Sequence, residues 1–539
     1  MMHSRLLLTS LVVCAPLIAA AQDEEGPDPF PGQLDQYEEY LRRGPLLMHT
    51  RGRIKFAKTE DTRALQILAD SYAKPEQPKE LVQYLIAGIA TRHCVGPEHV
   101  GIYDAWRESH AETKDAWLWY RALSVHGTHN GSAELLRIAR EHDDVFMRAA
   151  GIEALAAIAA NELIELVPEI IETSLPNKMV EKAVLIGALG TGLRAHAGDA
   201  NTPSFRRAAA AFAHLLDEEH ELPLSNRLVV ARQLADIYDI EELLLESAAW
   251  LSVMAGAAHK ATDDGIYLRP TFFGLQGSGT RICYVIDMSD SMCKPIDPEM
   301  KPKGPASGPK KKRKKGELPT ADDIPWQQIE NRFDLAREHL KISLQRLDKE
   351  KSFCVIYFGD RADMLRSCNG MMQATRSNVA KVIKELDGID TGSPNQMRPD
   401  GTLRGMTNLH GGLRRAFMVK KKGFTKEPEY IDFDTFTGGC DTIFLLSDGA
   451  PTWDDWDCKD QNYGEDNVGD PESHIGMPEA ANMHYSGPYV DRWNLLEDVE
   501  RMNLFREVEI NCIGIGEARM QFLQNLARLG LGKVQQVGG

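Results

Sequence analysis

Two hydrophobic patterns divide this chain. From about Glu60 to Lys260 the apolar positions recur at helical spacing. Leu163, Leu166, Val167, Ile170 and Ile171 follow i, i+3, i+4, i+7, i+8, and Leu228, Ala231, Leu234 and Tyr238 make a second stripe. Ile152, Leu155 and Ile158 make a shorter one. Ala, Leu and Glu are abundant there and strand signals are few, which predicts an all-α domain over residues 59–260. Pro168 lies inside the longest stripe, so that element is expected to kink or start late.

Beyond residue 281 the period changes. Ile282–Ile286, Phe353–Phe358, Thr442–Leu446 and Val508–Ile515 are short, nearly continuous apolar runs with β-branched and aromatic content. That is how parallel strands covered on both faces read. Helical patterns lie between them: Phe333, Ala336, Leu340, Leu344 and Leu347 share one face, and Leu409–Met418, Trp493–Phe505 and Ala518–Leu531 also read as helices. The alternation predicts a doubly wound α/β domain over 281–539, joined by a Gly-rich linker at 261–280. Thr271–Gly274 reads as a lead-in strand beside the first of these runs. Residues 22–58 begin acidic and proline-rich and read as a disordered or linker lead-in.

The candidate chemistry sits where these strands end. Tyr284-Val285-Ile286 runs into Asp287-Met288-Ser289-Asp290-Ser291, which supplies a carboxylate and two hydroxyls from one tight turn. Gly405-Met406-Thr407-Asn408-Leu409 places a threonine at the start of a helix, and Thr442–Leu446 leads into Ser447-Asp448-Gly449 with a second carboxylate. Open α/β sheets bind ligands beyond the carboxyl ends of their strands, where Asp287 and Asp448 both fall. All-oxygen ligands suit a hard divalent cation. Taken alone, the first segment also reads as a serine-capped turn between strand and helix. Gly514-Ile515-Gly516 lacks the third glycine of a nucleotide loop.

With all three segments present in order, the C-terminal half resembles the von Willebrand factor type A (vWA) fold with its metal-ion-dependent adhesion site. The resemblance maps the five metal positions onto Asp287, Ser289, Ser291, Thr407 and Asp448. It implies Mg²⁺, or Mn²⁺ or Ca²⁺ in its place, with an open position for a carboxylate presented by a protein or other ligand. Asp290 departs from the family pattern, where a small residue is common. The helical half is similar to HEAT-type repeats, with Asp143–Ala160 followed by Asn161–Leu175 as the clearest pair; no strict period runs through it, and a plain bundle is the alternative. Repeat arrays present a concave surface to partners.

Composition narrows the function. Arg5, the apolar run Leu6–Ile18 and Ala19-Ala20-Ala21 read as a secretory signal over residues 1–21, so a secreted or periplasmic location is expected. No later run has the length of a membrane span, and no transmembrane anchor is expected. Removing Arg5 takes the formal charge from −17 to −18, which argues against nucleic-acid binding. Cys283, Cys354 and Cys512 lie in strands and read as small buried hydrophobes, whereas Cys293 and Cys458 lie in loops and are disulfide candidates. His93, His110, His142, His214 and His220 show no metal-ligand spacing.

Two insertions flank the metal motifs. A basic one at 297–325 carries Lys310-Lys311-Lys312-Arg313-Lys314-Lys315 and is expected to be extended. An acidic one at 453–490 carries Asp454, Asp455, Asp457, Asp460, Glu465, Asp466, Asp470 and Glu472. Either both are simply solvated or they attract each other across the metal mouth. No Gly-x-Ser-x-Gly elbow or Cys–His pairing accompanies the motif, so a binding protein rather than an enzyme is expected. The alternatives are a polyanion-binding scaffold working through the lysine run and, behind it, a metal-dependent hydrolase.

Overall fold

A computed structural model describes residues 27–43, 46–76, 79–257, 269–298, 301, 318–389, 406–456 and 487–538. The expected leader, most of both insertions, and Cys458 lie outside these residues. No helix among the described residues is long and apolar enough to cross a membrane.

The N-terminal half is helical from Phe30–Arg42 to Ser247–Met254. Residues 22–58 are therefore more than a lead-in, because two helices, Phe30–Arg42 and Leu46–Ala57, occupy this stretch. They are held by buried aromatic rings, with Tyr37 stacked on Phe56 at 4.4 Å. Helices Lys79–His93, Ala116–Asn130, Val145–Ile158, Met179–Ala195 and Leu224–Ile237 pack one on the next to form a layer. The intervening helices Val100–Ser109, Ala133–Glu141 and Ala160–Glu169 pack against that layer. Val145–Ile158 is buried at every position from Val145 to Ala156, as a helix covered on all sides must be. Asp144 caps its first turn by accepting from Phe146 N at 2.8 Å. Pro168 stays inside Ala160–Glu169, and the chain widens into a π turn over Ile170–Ser174 directly after it. Helix lengths run from 8 to 17 residues, so the stacking has no fixed repeat.

The C-terminal half is a mixed α/β sheet. Strands β1 (Thr271–Phe272) and β2 (Leu275–Gln276) form a hairpin of their own. The expected lead-in strand does not join the main sheet, because Phe273 and Gly274 take φ values of +52° and +84° and fold the chain back at once. Phe272 then packs edge-on against Tyr284 and Phe444. The main sheet contains β3 (Arg281–Asp287), β4 (Ser352–Phe358), β5 (Ala362–Met364), β6 (Met372–Gln373), β7 (Thr442–Ser447), β8 (Glu509–Ile515) and β9 (Val534–Val537). Its order is β5-β4-β3-β7-β8-β9, with β6 also paired to β4. The β4-β3-β7-β8-β9 pairs are parallel, while β5 and β6 run antiparallel to β4. Every residue of β7 and β8 is buried, which accounts for their largely apolar sequence, and the polar Thr442, Ser447, Glu509 and Asn511 are buried with the rest. The chain leaves β3 toward β4 on one side and returns to β7 on the other, so the strand order switches between β3 and β7. In open α/β sheets that is where a ligand-binding crevice forms, at the carboxyl ends of the strands.

The two halves share an interface made by the inner helical layer. Phe146 meets Phe433, Phe436 and Phe505 with ring centroids 5.9, 6.0 and 5.1 Å away. Arg232 donates to Glu507 O at 2.7 Å and to Ser278 Oγ at 2.9 Å. Thr191 Oγ1 and Gln233 Nε2 donate to the Glu507 carboxylate at 2.9 and 2.8 Å. Arg92 pairs with Glu497 from the helix Arg492–Asn503. The helices of this layer thus contact the chain's own α/β half.

Candidate metal centre

The switch point brings four of the five sequence candidates into one hydrogen-bonded chain. Asp287 ends β3 and is fully buried. Its Oδ1 accepts from Ser289 N at 2.9 Å and Ser289 Oγ at 2.6 Å, and its Oδ2 accepts from Ser447 Oγ at 2.9 Å. Ser289 Oγ lies 3.0 Å from Ser291 Oγ, which in turn donates to Asp448 Oδ1 at 2.6 Å. The turn is fixed from both ends. Met288 N donates to Phe358 O at 2.7 Å, extending the β3–β4 ladder, and a 3₁₀ turn over Asp290–Cys293 follows. Asp290 stands half-buried at the start of that turn.

Thr407 enters from a third segment. Its backbone exchanges two hydrogen bonds with Thr452, N to Oγ1 at 3.0 Å and O from N at 3.1 Å. Asn408 caps the helix Leu409–Met418 by accepting from Gly411 N at 2.8 Å, and donates to Asp455 at 2.9 Å. These bonds leave the Thr407 hydroxyl facing the turn after β7, where a Cβ added at Gly449 would stand 3.9 Å from it. That hydroxyl makes no hydrogen bond to another described residue.

Burial, with the charge of Asp448 second, pushes the Asp287 carboxyl up to about 7 despite the opposing bonds from Ser289 and Ser447. Two buried carboxylates in one crevice carry an electrostatic cost that a cation relieves. One cation was not anticipated from sequence: Arg332 Nη1 donates to Asp448 Oδ2 at 2.7 Å, with its side chain 9% exposed. Ser447, Thr452 and Asn408 were also missed, although Ser447 directly precedes Asp448 in the strand-end motif.

The donor set fits a small hard ion. Two ligands at right angles on an octahedral ion with ~2.1 Å bonds are ~3.0 Å apart, against ~3.4 Å for ~2.4 Å calcium bonds. The two serine hydroxyls, 3.0 Å apart and hydrogen-bonded to each other, are close enough to occupy adjacent positions on such an ion. No cluster of three or more His, Cys, Asp or Glu able to hold a metal occurs among the described residues. The candidate therefore rests on three hydroxyls and two carboxylates.

The acidic insertion departs from expectation at its start. Asp454 is buried and accepts from Trp456 N and Tyr489 N, both at 2.8 Å. Asp455 binds Asn408 and Arg415. Both are anchors of the loop base rather than solvated charges, because backbone amides and an arginine satisfy them; the remaining acids lie outside the described residues. Cys293 is buried, and Cys458, the other disulfide candidate, lies outside the described residues.

No family model matches the chain, and no curated protein does. Among solved structures, the chain is similar to a von Willebrand factor type A protein from Catenulispora acidiphila at 15% identity and a TM-score of 0.27, over 49% of this chain and 40% of that one. It is also similar to a mutant of the PilB minor pilin from Streptococcus sanguinis at 16% identity and a TM-score of 0.27, over 48% of this chain and 56% of that one. The chain thus spans well under two thirds of either protein.

Proposed function

We propose that this chain is a secreted or periplasmic binding protein whose C-terminal half is a vWA domain with a metal-ion-dependent adhesion site. Asp287, Ser289, Ser291, Thr407 and Asp448 hold Mg²⁺, or Mn²⁺ or Ca²⁺ in its place, and the ion takes a carboxylate from a partner. The observation that carries this reading is the continuous Asp287–Ser289–Ser291–Asp448 hydrogen-bonded chain at the strand-order switch, with the Thr407 hydroxyl beside it. Neutral hydroxyls satisfy an ion without quenching its Lewis acidity, which favours capture of an anionic group. The reading is non-catalytic: the bound ion supplies charge and an open position, and the residues around it orient rather than move protons. The helical half acts as a scaffold, since its inner layer already binds the α/β half.

A pull-down from the native compartment tests this, comparing Mg²⁺, EDTA and the Thr407→Ala variant. Capture that needs Mg²⁺ and weakens in Thr407→Ala supports the reading. Capture that ignores EDTA and Thr407→Ala but disappears in high salt contradicts it and favours a polyanion contact through the lysine run.

A further inference from the structure

Arg332 is held at the site from several directions. Asn331 caps its helix in a reciprocal box with Asp334, accepting from Asp334 N at 2.9 Å. Arg332 N donates to Lys294 O at 3.1 Å, and Asn331 bridges to Pro295, so the helix start is tied to the loop that carries Ser289 and Ser291. The guanidinium lies against Gly516, where φ is +62° and an added Cβ would stand 2.6 Å from Cζ. Only glycine suits both that backbone and that approach. Nη2 faces the Glu517 carboxylate at 3.9 Å, and Lys294 binds the same carboxylate at 3.0 Å. The arginine is therefore a built part of the crevice, and its charge falls on one of the two carboxylates a divalent ion would use.

We propose that Arg332 is a built-in competitor for Asp448 that lowers the affinity of the site for divalent ions. This rests on the metal-site reading above. Two carboxylates alone would offer an ion a charge of −2; with Arg332 on Asp448 the site offers −1. The ion must share Asp448 with the guanidinium, whose Nη1 already donates to Oδ2 at 2.7 Å. Occupancy is then tied to the ambient ion concentration instead of being permanent.

Mn²⁺ titration by calorimetry on the full chain, at fixed ionic strength, tests this with four proteins: the unmodified chain, Arg332→Gln, Arg332→Met and Arg332→Lys. Gln keeps a hydrogen-bond donor for Asp448 without the charge, Met keeps the apolar stem, and Lys keeps the charge. The expected result is at least tenfold tighter binding in whichever neutral variants fold, about 1.4 kcal/mol, and affinity within about threefold of the unmodified chain in Arg332→Lys. Neutral variants that bind as weakly as the unmodified chain, or more weakly, overturn the competitor role and leave the metal site standing. Absence of Mn²⁺ binding in all four proteins overturns the metal site itself, and the competitor role with it.

Discussion

Asparagine at the two site aspartates is expected to change stability in opposite directions when chelator keeps divalent ions away. A rise of the Asp287 carboxyl from 3.8 to about 7 corresponds to about 4 kcal/mol against the ionised form at pH 8, since one unit is ~1.4 kcal/mol. Asp448 contributes to that rise, so Asp287→Asn is expected to stabilise the protein by about 2–4 kcal/mol in EDTA. Its amide can still accept from Ser289 and donate to the Ser447 hydroxyl. Asp448→Asn instead leaves the buried Arg332 guanidinium facing a neutral amide. Breaking a buried pair from one side costs about 3–5 kcal/mol, and the retained acceptor places this case near ~3. The pH dependence follows with its sign. The folded state binds the Asp287 proton more tightly than the unfolded chain, so stability in EDTA falls as pH rises from 3.8 toward about 7, and Asp287→Asn removes that slope. Mg²⁺ at a hundred times its dissociation constant adds about 2.7 kcal/mol to the unmodified protein and should add almost nothing to Asp287→Asn. Urea unfolding at pH 8 with EDTA or Mg²⁺ reads all of these. A loss of stability in Asp287→Asn under EDTA would refute the reasoning, because it would mean the buried carboxylate is not under electrostatic stress.

Three further outcomes are expected. Thr407→Ala should leave unfolding within about 0.5 kcal/mol of the unmodified protein while weakening partner capture, since the hydroxyl bonds no described residue; a large stability loss would assign it a packing role. Burial holds the His339 imidazole down to about 4, with the ring 3.8 Å from Phe273. The unfolded chain takes the proton first, so as pH falls from 6.5 toward 4 up to about 3 kcal/mol is lost, and His339→Phe should flatten that slope in urea melts at pH 7 and 5. Arg232→Ala removes two bonds joining the halves and should cost about 3 kcal/mol in urea unfolding; a change below about 0.5 kcal/mol would show that these bonds do not couple the halves.

The central strands were legible because burial on both faces of a parallel sheet favours nearly continuous apolar runs, and the two candidate carboxylates stand at the ends of two of them. Asp287 and Asp448 announce themselves in this way. Arg332 does not: it opens an ordinary amphipathic helix, and the ties of Asn331 to Pro295 and of Arg332 N to Lys294 O bring it to Asp448. Helix Phe30–Arg42 was readable in principle from Phe30, Leu34, Tyr37 and Leu41, but the acidic and proline-rich residues before it suggested disorder. Helix Arg376–Asp387 was likewise available from Val379, Val382 and Leu386 behind a Thr375 cap. The hairpin at Thr271 defied its sequence because Phe273, a residue with high strand propensity, takes a left-handed backbone. Asp454 and Asp455 were misread since charge in a loop looks the same in sequence whether solvent or backbone amides satisfy it.

Calorimetric titration of the purified chain with Mn²⁺, alongside Asp287→Ala, tests the central claim most directly. One ion per chain, bound in the unmodified protein and lost in Asp287→Ala, is the predicted result. Unchanged Mn²⁺ affinity in Asp287→Ala would contradict the assignment of the ion to this crevice.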